Sequence, residues 1–306
     1  MEMKPNFLIV GMERSGTHWV SAILNNHPDI ASFPTLPFST EPGKNKIGEV
    51  HFVNTLASLD GAGADTLARA FSNFSHRVSG VFADVVALRG KVPDKDLRML
   101  LVRRYGEYCV AQGGGKRLVG EATPAYIFFL DLIDSLYPNI KKICIIRDPK
   151  DMIVSWHFNL IRKNRKREDD PLTQDYALDY LEKRIAKEYK ALLDYDGFIH
   201  CLTYEGLHKD SDTVVRGLVD YLGVAHSPHL IASMIENATF EKQTEKEDAS
   251  TARRAGEENI KSGLRKGVVG DWKNHISEAL AVKIDNAVRG LREEIRGKYK
   301  VANMSA

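Results

Sequence analysis

The chain has 306 residues, with 43 lysines and arginines against 41 aspartates and glutamates, so its formal net charge is +2. Hydrophobic residues make up 43% and charged residues 27%, which is typical of a globular protein and excludes a disordered or fibrous chain. The low net charge argues against a nucleic-acid partner, and no apolar stretch approaches the ~18–20 residues that span a bilayer. Three cysteines cannot all pair and lack metal-ligand spacing, which favours reduced thiols and a cytoplasmic location.

The first 26 residues predict a strand, a loop and a helix. Asn6 to Val10 is a short apolar run, and Thr17 to Asn26 carries apolar residues at helical spacing. From Ile30 to Gly63, prolines and hydroxyl-bearing residues predict irregular chain. Helices are expected at Asp65–Phe74 and again after Pro93.

The clearest strand is Lys142 to Ile146, a continuous apolar run of the kind that is buried on both faces of a parallel sheet. Pro149 then suits the first turn of a following helix. Shorter strands are expected at Arg117–Gly120 and Phe198–Leu202.

The rest of the chain predicts helices and one loop. We expect a long amphipathic helix near Tyr176–Tyr195, two helices that end near Leu222 and Asn237, a mobile surface loop over Glu241–Ser262, and a last helix over Ser277–Arg296. Strands that alternate with helices predict an α/β fold, a single domain over residues 1–306 with a central, mostly parallel sheet flanked by helices.

The loop between the first strand and helix, residues 11–18, suits an anion. The N–H groups at a helix start have no intrahelical partner, and the helix dipole adds partial positive charge. Gly11 and Gly16 allow close approach, while Ser15 and Thr17 offer hydroxyl groups. The pattern is similar to GxxxxGK[ST], but Thr17 occupies the lysine position and the cation is Arg14, which disfavours nucleoside triphosphate chemistry. A plain strand–turn–helix is the alternative.

Two further segments combine a cation with a glycine or a hydroxyl group. Arg147 follows the second clear strand, and Ser155 lies eight residues later on the following helix. Near the C-terminal end, Arg265 and Lys266 precede Gly267. Each segment alone reads as ordinary surface chemistry, but three such segments suit a ligand with phosphates at two ends, such as a bisphosphorylated nucleotide.

Together these segments resemble the sulfotransferases that use 3′-phosphoadenosine-5′-phosphosulfate (PAPS). The loop GMERSGTHW is similar to that family's P-loop-like phosphosulfate-binding loop, IIRDPKDMIVSW to its 3′-phosphate segment, and RKGVVGDWKN to the C-terminal motif of its cytosolic branch. LTYEGL and NATF resemble that branch's adenine-side segments. The resemblance implies cofactor-binding roles for Arg14, Ser15, Gly16, Thr17, His18, Trp19, Arg147, Ser155, Tyr204, Thr239, Phe240, Arg265, Lys266 and Gly267.

The resemblance also implies a catalytic base. The cytosolic branch's histidine context is absent, but residues 48–52 resemble the segment of the heparan-sulfate-modifying branch whose glutamate is the base, which implicates Glu49. Residues 120–126 resemble a second segment of that branch and make Glu121 the alternative, with Ala122 where the family has lysine. His51 and His18 are further alternatives for the base.

The implied reaction is in-line transfer of a sulfuryl group from PAPS to a hydroxyl or amine, with adenosine 3′,5′-bisphosphate (PAP) as product and no metal. Arg14 would act as an electrostatic clamp, because a guanidinium does not readily give up a proton. The acceptor, a small molecule, glycan or carrier-bound group, is not identified by the sequence, and neither is the oligomeric state. The alternatives are a P-loop-like nucleotide kinase and a module that binds the bisphosphonucleotide without turning it over.

Overall fold

The computed structural model describes residues 4–33, 51–59, 61–75, 81–247 and 252–301. The described residues form one sheet of five strands, all parallel, in the order β2-β3-β1-β4-β5. The expectation of a mostly parallel sheet is therefore confirmed. The strands are β1 (Phe7–Gly11), β2 (Ile30–Phe33), β3 (Leu118–Ala122), β4 (Lys141–Ile146) and β5 (His200–Thr203).

Helices connect the strands and cover both faces of the sheet. No helix among the described residues has both the length and the apolar character to cross a membrane. The α-helices are α1 (Thr17–Leu24), α2 (Phe52–Ala57), α3 (Ala64–Ser75), α4 (Ala83–Val86), α5 (Asp94–Gln112), α6 (Leu130–Leu136), α7 (Pro149–Arg162), α8 (Gln174–Tyr180), α9 (Ala186–Asp194), α10 (Tyr204–Lys209), α11 (Ser211–Leu222), α12 (Pro228–Glu236), α13 (Phe240–Glu247) and α14 (Glu278–Tyr299). Short 3₁₀ segments occupy Pro124–Phe129 and Asp271–Asn274, and a π-helical segment, Leu181–Ile185, joins α8 to α9.

Alternation along the central strands divides the core into two layers. On β1, Phe7 and Ile9 pack into one cluster while Leu8 and Val10 pack into the other. Side chains that alternate along a strand point to opposite faces of its sheet, so the two clusters lie on opposite faces. Helices α1, α11 and α12 cover the first face, and α5, α7, α9 and α14 cover the second.

This arrangement creates a crevice at the carboxyl edge of the sheet. The chain leaves β1 towards α1 on one face, and it leaves the neighbouring strand β4 towards α7 on the other. Connections that diverge in this way open a gap between two adjacent strand ends, which is where open α/β sheets bind ligands. The two loops that the sequence marks as anion sites follow β1 and β4.

The sequence-based boundaries are wrong in two places. The irregular chain expected over Ile30–Gly63 contains β2 and α2. The surface loop expected over Glu241–Ser262 begins inside α13, which ends at Glu247. Strand β2 forms because it pairs with β3, and the side-chain amide of Asn25 bonds the amide and carbonyl of Ser32 at 2.7 and 2.6 Å. Strand β3 is distant in the chain and Asn25 is polar, so hydrophobic periodicity predicts neither interaction. The single-domain organisation stays a prediction.

Gly120 on β3 lies in register with Phe7 on β1, and a Cβ atom there would meet ring carbons of Phe7 at 2.2–2.4 Å. We expect Gly120→Ala to lower the free energy of unfolding by about 1–3 kcal/mol, because the buried ring must shift. Gly290→Ala, inside α14 with no atom near the added methyl group, is the matched control and should stabilise by about 0.5–1 kcal/mol. Urea denaturation measures both, and an unchanged Gly120→Ala variant would contradict the packing described.

Candidate functional site

The loop after β1 is a tight turn with unusual backbone geometry. The amide of Ser15 donates to the carbonyl of Met12 at 3.0 Å, and the fully buried Met12 side chain anchors the turn in the core. Arg14 has a φ of 72° and Gly16 a φ of 108°. Gly16 caps the start of α1 and packs so closely on the Tyr204 ring that a Cβ atom would lie 2.9 Å from it. The geometry of the turn therefore depends on its neighbours.

The turn presents donors that fit an anion. The Ser15 side chain is completely buried, and its hydroxyl oxygen has no hydrogen-bond partner. Thr17 is buried on the first turn of α1, beside the N–H groups that a helix start leaves unpaired, and the half-buried His18 follows it. Because buried hydroxyl groups normally have partners, Ser15 fits a site that a phosphate or sulfate oxygen would complete.

Arg147, directly after β4, reaches across to this loop. Its guanidinium donates to the carbonyl of Arg14 at 3.3 Å and to the carbonyl of Val268 at 3.2 Å. It also stacks on the Tyr204 ring, 4.1 Å from the ring centre, and lies 3.8 Å from the carboxylate of Asp151. The Nε–H of Arg147 is buried without a partner. One arginine thus links the β1 loop, the β5 end and the C-terminal segment.

Ser155 and Arg14 make a second link across the crevice. The Nε–H of Arg14 donates to the Ser155 hydroxyl at 3.2 Å, and its Nη2 donates to the carbonyl of Gly263 at 3.2 Å. Ser155 lies on α7, the helix that starts just after Arg147. The three segments that the sequence analysis treats separately are therefore one continuous cationic site.

The C-terminal segment is held in place by two buried aspartates. Asp151 accepts hydrogen bonds from the amides of Gly270 at 2.7 Å and Trp272 at 3.0 Å, and burial raises the pKa of its carboxyl. Asp271 binds both Arg265 and Lys266, with 2.6 Å to the ammonium of Lys266. Burial alone would raise the pKa of Asp271, but the hydrogen bonds from Lys266 and Arg265 outweigh it and hold the pKa well below its usual range.

An aromatic cluster adjoins Arg147. Trp19 packs against Tyr204 and His208, with ring centres 5.3 and 4.8 Å away, and its indole N–H donates to the carbonyl of Ala238 at 3.0 Å. Burial, then the charge of Arg147, lowers the pKa of His208 to about 4, so its ring is neutral near pH 7.

The remaining residues of the NATF and RKG segments adjoin this cluster. Thr239 follows Ala238, and its carbonyl accepts the amide of Gln243 at 3.0 Å. Phe240 packs against Gly267, where a Cβ atom would meet the Phe240 ring at 2.3 Å. The structure thus brings every predicted cofactor-binding residue to one region.

Of the two glutamate candidates for the catalytic base, the structure describes Glu121. Glu49 lies outside the described residues. Glu121, at the end of β3, is fully buried and accepts hydrogen bonds from Thr123 at 2.7 Å, from Tyr126 at 3.1 Å and from Tyr105. Burial, then the charge of Glu121, raises the pKa of Tyr126. The Tyr126 hydroxyl accepts the amide of Val53 at 3.4 Å, near the start of α2.

His51, an alternative base, precedes α2 and caps its start with a φ of 54°. The hydrogen-bond network around Glu121 therefore extends to α2, the helix that His51 caps. Catalytic roles for these residues stay predictions.

Among the described residues, one trio has ligand atoms close enough to hold a metal ion: Glu258, Asp271 and His275. Arg265 bonds both Glu258 and Asp271, and Lys266 also bonds Asp271. A divalent cation would have to displace Arg265 and Lys266 from these carboxylates. The acidic residues of the trio therefore pair with two basic side chains.

A group of charged residues behind the β1 loop was not predicted from the sequence. Glu13, Arg184 and Glu188 form ion pairs there. Burial raises the pKa of the Glu188 carboxyl to about 7, against the opposing charge of Arg184. The sequence contained one indication of this group: Glu188 occupies a position on the apolar side of its helix.

Sequence comparison identifies the family to which this site belongs. The family model described as the sulfotransferase domain matches residues 4–298, nearly the whole chain. The chain belongs to the sulfotransferase family. Mouse Sulfotransferase 2A1 is 26% identical over 182 residues, which are 56% of this chain and 62% of that relative. The match thus spans less than two thirds of the curated relative's length.

Solved structures agree on the fold. A sulfotransferase from Alicyclobacillus acidocaldarius superposes with a TM-score of 0.51 at 19% identity, and the match covers 97% of this chain and 96% of that one. Mouse sulfotransferase SULT7A1, complexed with PAP, gives 0.51 at 17% identity, with 95% and 84% coverage. At this identity the likeness establishes the shared α/β fold.

Asp151 supports both Arg147 and the turn at Gly270. Asp151→Ala should lower the free energy of unfolding by about 3 kcal/mol, because two amides and a guanidinium lose a buried acceptor. Asp179→Ala, which removes an exposed ion pair with Lys183, should cost less than about 0.5 kcal/mol. Urea denaturation of both variants is the measurement, and equal losses would contradict the role described for Asp151.

Proposed function

We propose that this protein is a PAPS-dependent sulfotransferase that transfers a sulfuryl group to a hydroxyl or amine acceptor. The observation that carries the proposal is the 3.3 Å hydrogen bond from Arg147 to the carbonyl of Arg14. It brings the loop after β1 and the loop after β4 to one crevice, so that a single nucleotide with two phosphate-bearing ends can contact both. Had these arginines been on separate surfaces, the assignment would fail.

The chemistry of the donors supports a bisphosphorylated ligand. The crevice gathers Arg14, Arg147, Arg265 and Lys266, and the first two donate hydrogen bonds to neutral backbone carbonyls. Phosphate oxygens accept stronger, charge-assisted hydrogen bonds from arginine. The buried, unpartnered Ser15 hydroxyl and Arg147 Nε–H are further donors that such a ligand would satisfy. That the related fold of mouse SULT7A1 is complexed with PAP supports the same ligand class.

In the proposed complex, the two ends of the nucleotide have different partners. Residues 14–19 would hold the 5′ end, through the Arg14 guanidinium, the Ser15 hydroxyl and the start of α1. Arg147, Ser155 and residues 265–267 would hold the 3′-phosphate. The ring of Tyr204, with Thr239 and Phe240, would flank the adenine.

PAPS, when bound, supplies an activated sulfuryl group whose leaving phosphate gains negative charge during transfer. Arg14 stays protonated and stabilises that charge electrostatically. A carboxylate removes the acceptor proton, a contribution of about 10²–10⁴ in rate. Glu49 is the first choice for this base and Glu121 the alternative. The three hydroxyl donors around Glu121 make it less available for accepting a proton from an acceptor, which supports Glu49.

The acceptor is a small molecule, a glycan or a carrier-bound group. Its pocket is expected in residues 32–46, 75–93 and 241–262, of which residues 34–46, 76–80 and 248–251 lie outside the described residues. The free thiols of Cys109, Cys144 and Cys201 support a reducing, cytoplasmic setting as part of the proposal.

The nucleotide class is tested by isothermal calorimetry. We expect PAP to bind in the absence of metal, and ATP–Mg²⁺ to bind at least about tenfold more weakly, because Thr17 replaces the lysine that a P-loop kinase uses.

Arg14→Ala should weaken the affinity for PAP and abolish transfer of radiolabelled sulfate from PAPS, while the thermal unfolding temperature stays near that of the wild type. Tighter binding of ATP–Mg²⁺, or near-normal turnover by Arg14→Ala, would refute the proposal.

The base assignment is tested by isosteric variants. Glu49→Gln should lower kcat for sulfuryl transfer by about 10²-fold or more and leave the affinity for PAP unchanged, because the amide cannot accept the proton. If Glu121→Gln has this effect and Glu49→Gln does not, Glu121 is the base.

If the wild type binds PAP but transfers no radiolabelled sulfate to any acceptor in a panel of alcohols, amines and glycans, a non-catalytic binding module is favoured instead.

A further inference from the structure

The helix pair α8–α9 packs a buried carboxylate against the back of the loop after β1. Glu188 is fully buried on α9, at a position that lines up with the core residues Leu181, Ile185 and Leu192. An apolar side chain would fit that row at a lower desolvation cost. The charge at this position therefore needs an explanation outside the helix.

The partners of Glu188 supply one. Its Oε1 accepts a hydrogen bond from the Nε–H of Arg184 at 2.9 Å and from the backbone amide of Glu13 at 3.4 Å. The guanidinium of Arg184 in turn lies 3.4 Å from the side-chain carboxylate of Glu13. The three residues form a closed triangle that we call the Glu13 clamp, with two members on the helix pair and one in the loop.

The clamp acts next to the most constrained residue of the loop. Arg14 has a φ of 72°, a left-handed conformation that residues other than glycine adopt rarely and that persists only where the surroundings hold it. Its carbonyl side is held by Arg147, and its preceding residue is held by the clamp at both the backbone amide and the side chain. Arg184 itself lies in the π-helical segment, a helix irregularity found frequently at functional sites.

We propose that Glu188 and Arg184 are positioning residues for sulfuryl transfer, which hold the Glu13–Arg14 peptide so that the Arg14 guanidinium and the Ser15 donors face the 5′ end of the nucleotide. The inference rests on the proposed function and deepens it, because it assigns a role to residues outside the nucleotide-contacting motifs. The hydrogen bonds and ion pair of the clamp lie on the 5′ side of the site, whereas Arg147, Ser155 and the C-terminal segment are assigned to the 3′ side.

That asymmetry defines the experiment. Adenosine 5′-monophosphate reports on the loop, and adenosine 3′-monophosphate reports on the opposite end of the site. By calorimetry, Glu188→Gln should bind adenosine 5′-monophosphate about tenfold more weakly than the wild type and adenosine 3′-monophosphate within about twofold. Turnover of PAPS by the same variant should fall mainly in kcat, because Arg14 acts on charge that develops during transfer.

Controls separate the clamp from general stability. Asp179→Asn removes an exposed ion pair from the same helix pair, 2.5 Å from Asp179 to Lys183, and should change neither affinity. Glu13→Gln removes the partly exposed end of the clamp, so it tests the same idea if Glu188→Gln does not fold. Arg184→Lys keeps a charge beside both carboxylates and should retain more affinity for adenosine 5′-monophosphate than Arg184→Gln.

Each outcome decides between the proposals. If wild-type protein binds PAP, yet Glu188→Gln and Glu13→Gln bind both monophosphates as the wild type does, the clamp has no positioning role. Equal weakening of both monophosphates likewise overturns the inference, because it indicates a structural role alone. If the wild type binds none of the three nucleotides, the proposed function fails first and the inference falls with it.

Discussion

The contact between Arg147 and the carbonyl of Arg14 is the interaction on which the rest of the site depends. It joins the ends of two adjacent parallel strands whose following helices lie on opposite faces of the sheet. Because the connections diverge, the backbone leaves a gap there, and one long side chain bridges it. The same guanidinium also contacts Val268 and stacks on Tyr204, so the C-terminal segment and the β5 end are brought into register with the two loops.

The four cations of the site repel one another, and the chain supplies groups that oppose this repulsion. Asp271 pairs with both Arg265 and Lys266, Asp151 faces Arg147, and the carbonyl of Gly263 accepts a hydrogen bond from Arg14. The two aspartates are deeply buried, and the Nε–H groups of Arg147 and Arg265 are buried without a partner. These contacts keep the positive side chains oriented before a ligand arrives, which reduces the ordering cost of binding.

Local signals in the sequence predicted β1, β4 and the residues that follow them, because buried parallel strands are continuous apolar runs and glycines mark the loop. The family resemblance added Thr239, Phe240 and Tyr204, and of these Tyr204 stacks on Arg147 while Phe240 packs against Gly267. Strand β2 was missed because its pairing partner is nearly 90 residues away in the chain. Glu188 was missed because a glutamate on a helix is usually solvated, and only tertiary packing reveals that its partner is the amide of Glu13.

The amide of Asn25 has a consequence for how this molecule behaves towards copies of itself. Strand β2 lies at the edge of the described sheet. An edge strand ordinarily has unpaired peptide groups with which a strand of another chain can pair. Asn25 mimics such a neighbour, since it occupies both the N–H and the C=O of Ser32 with one side chain. Both peptide groups of Ser32 are therefore already bonded, which prevents a strand of another chain from pairing at this residue.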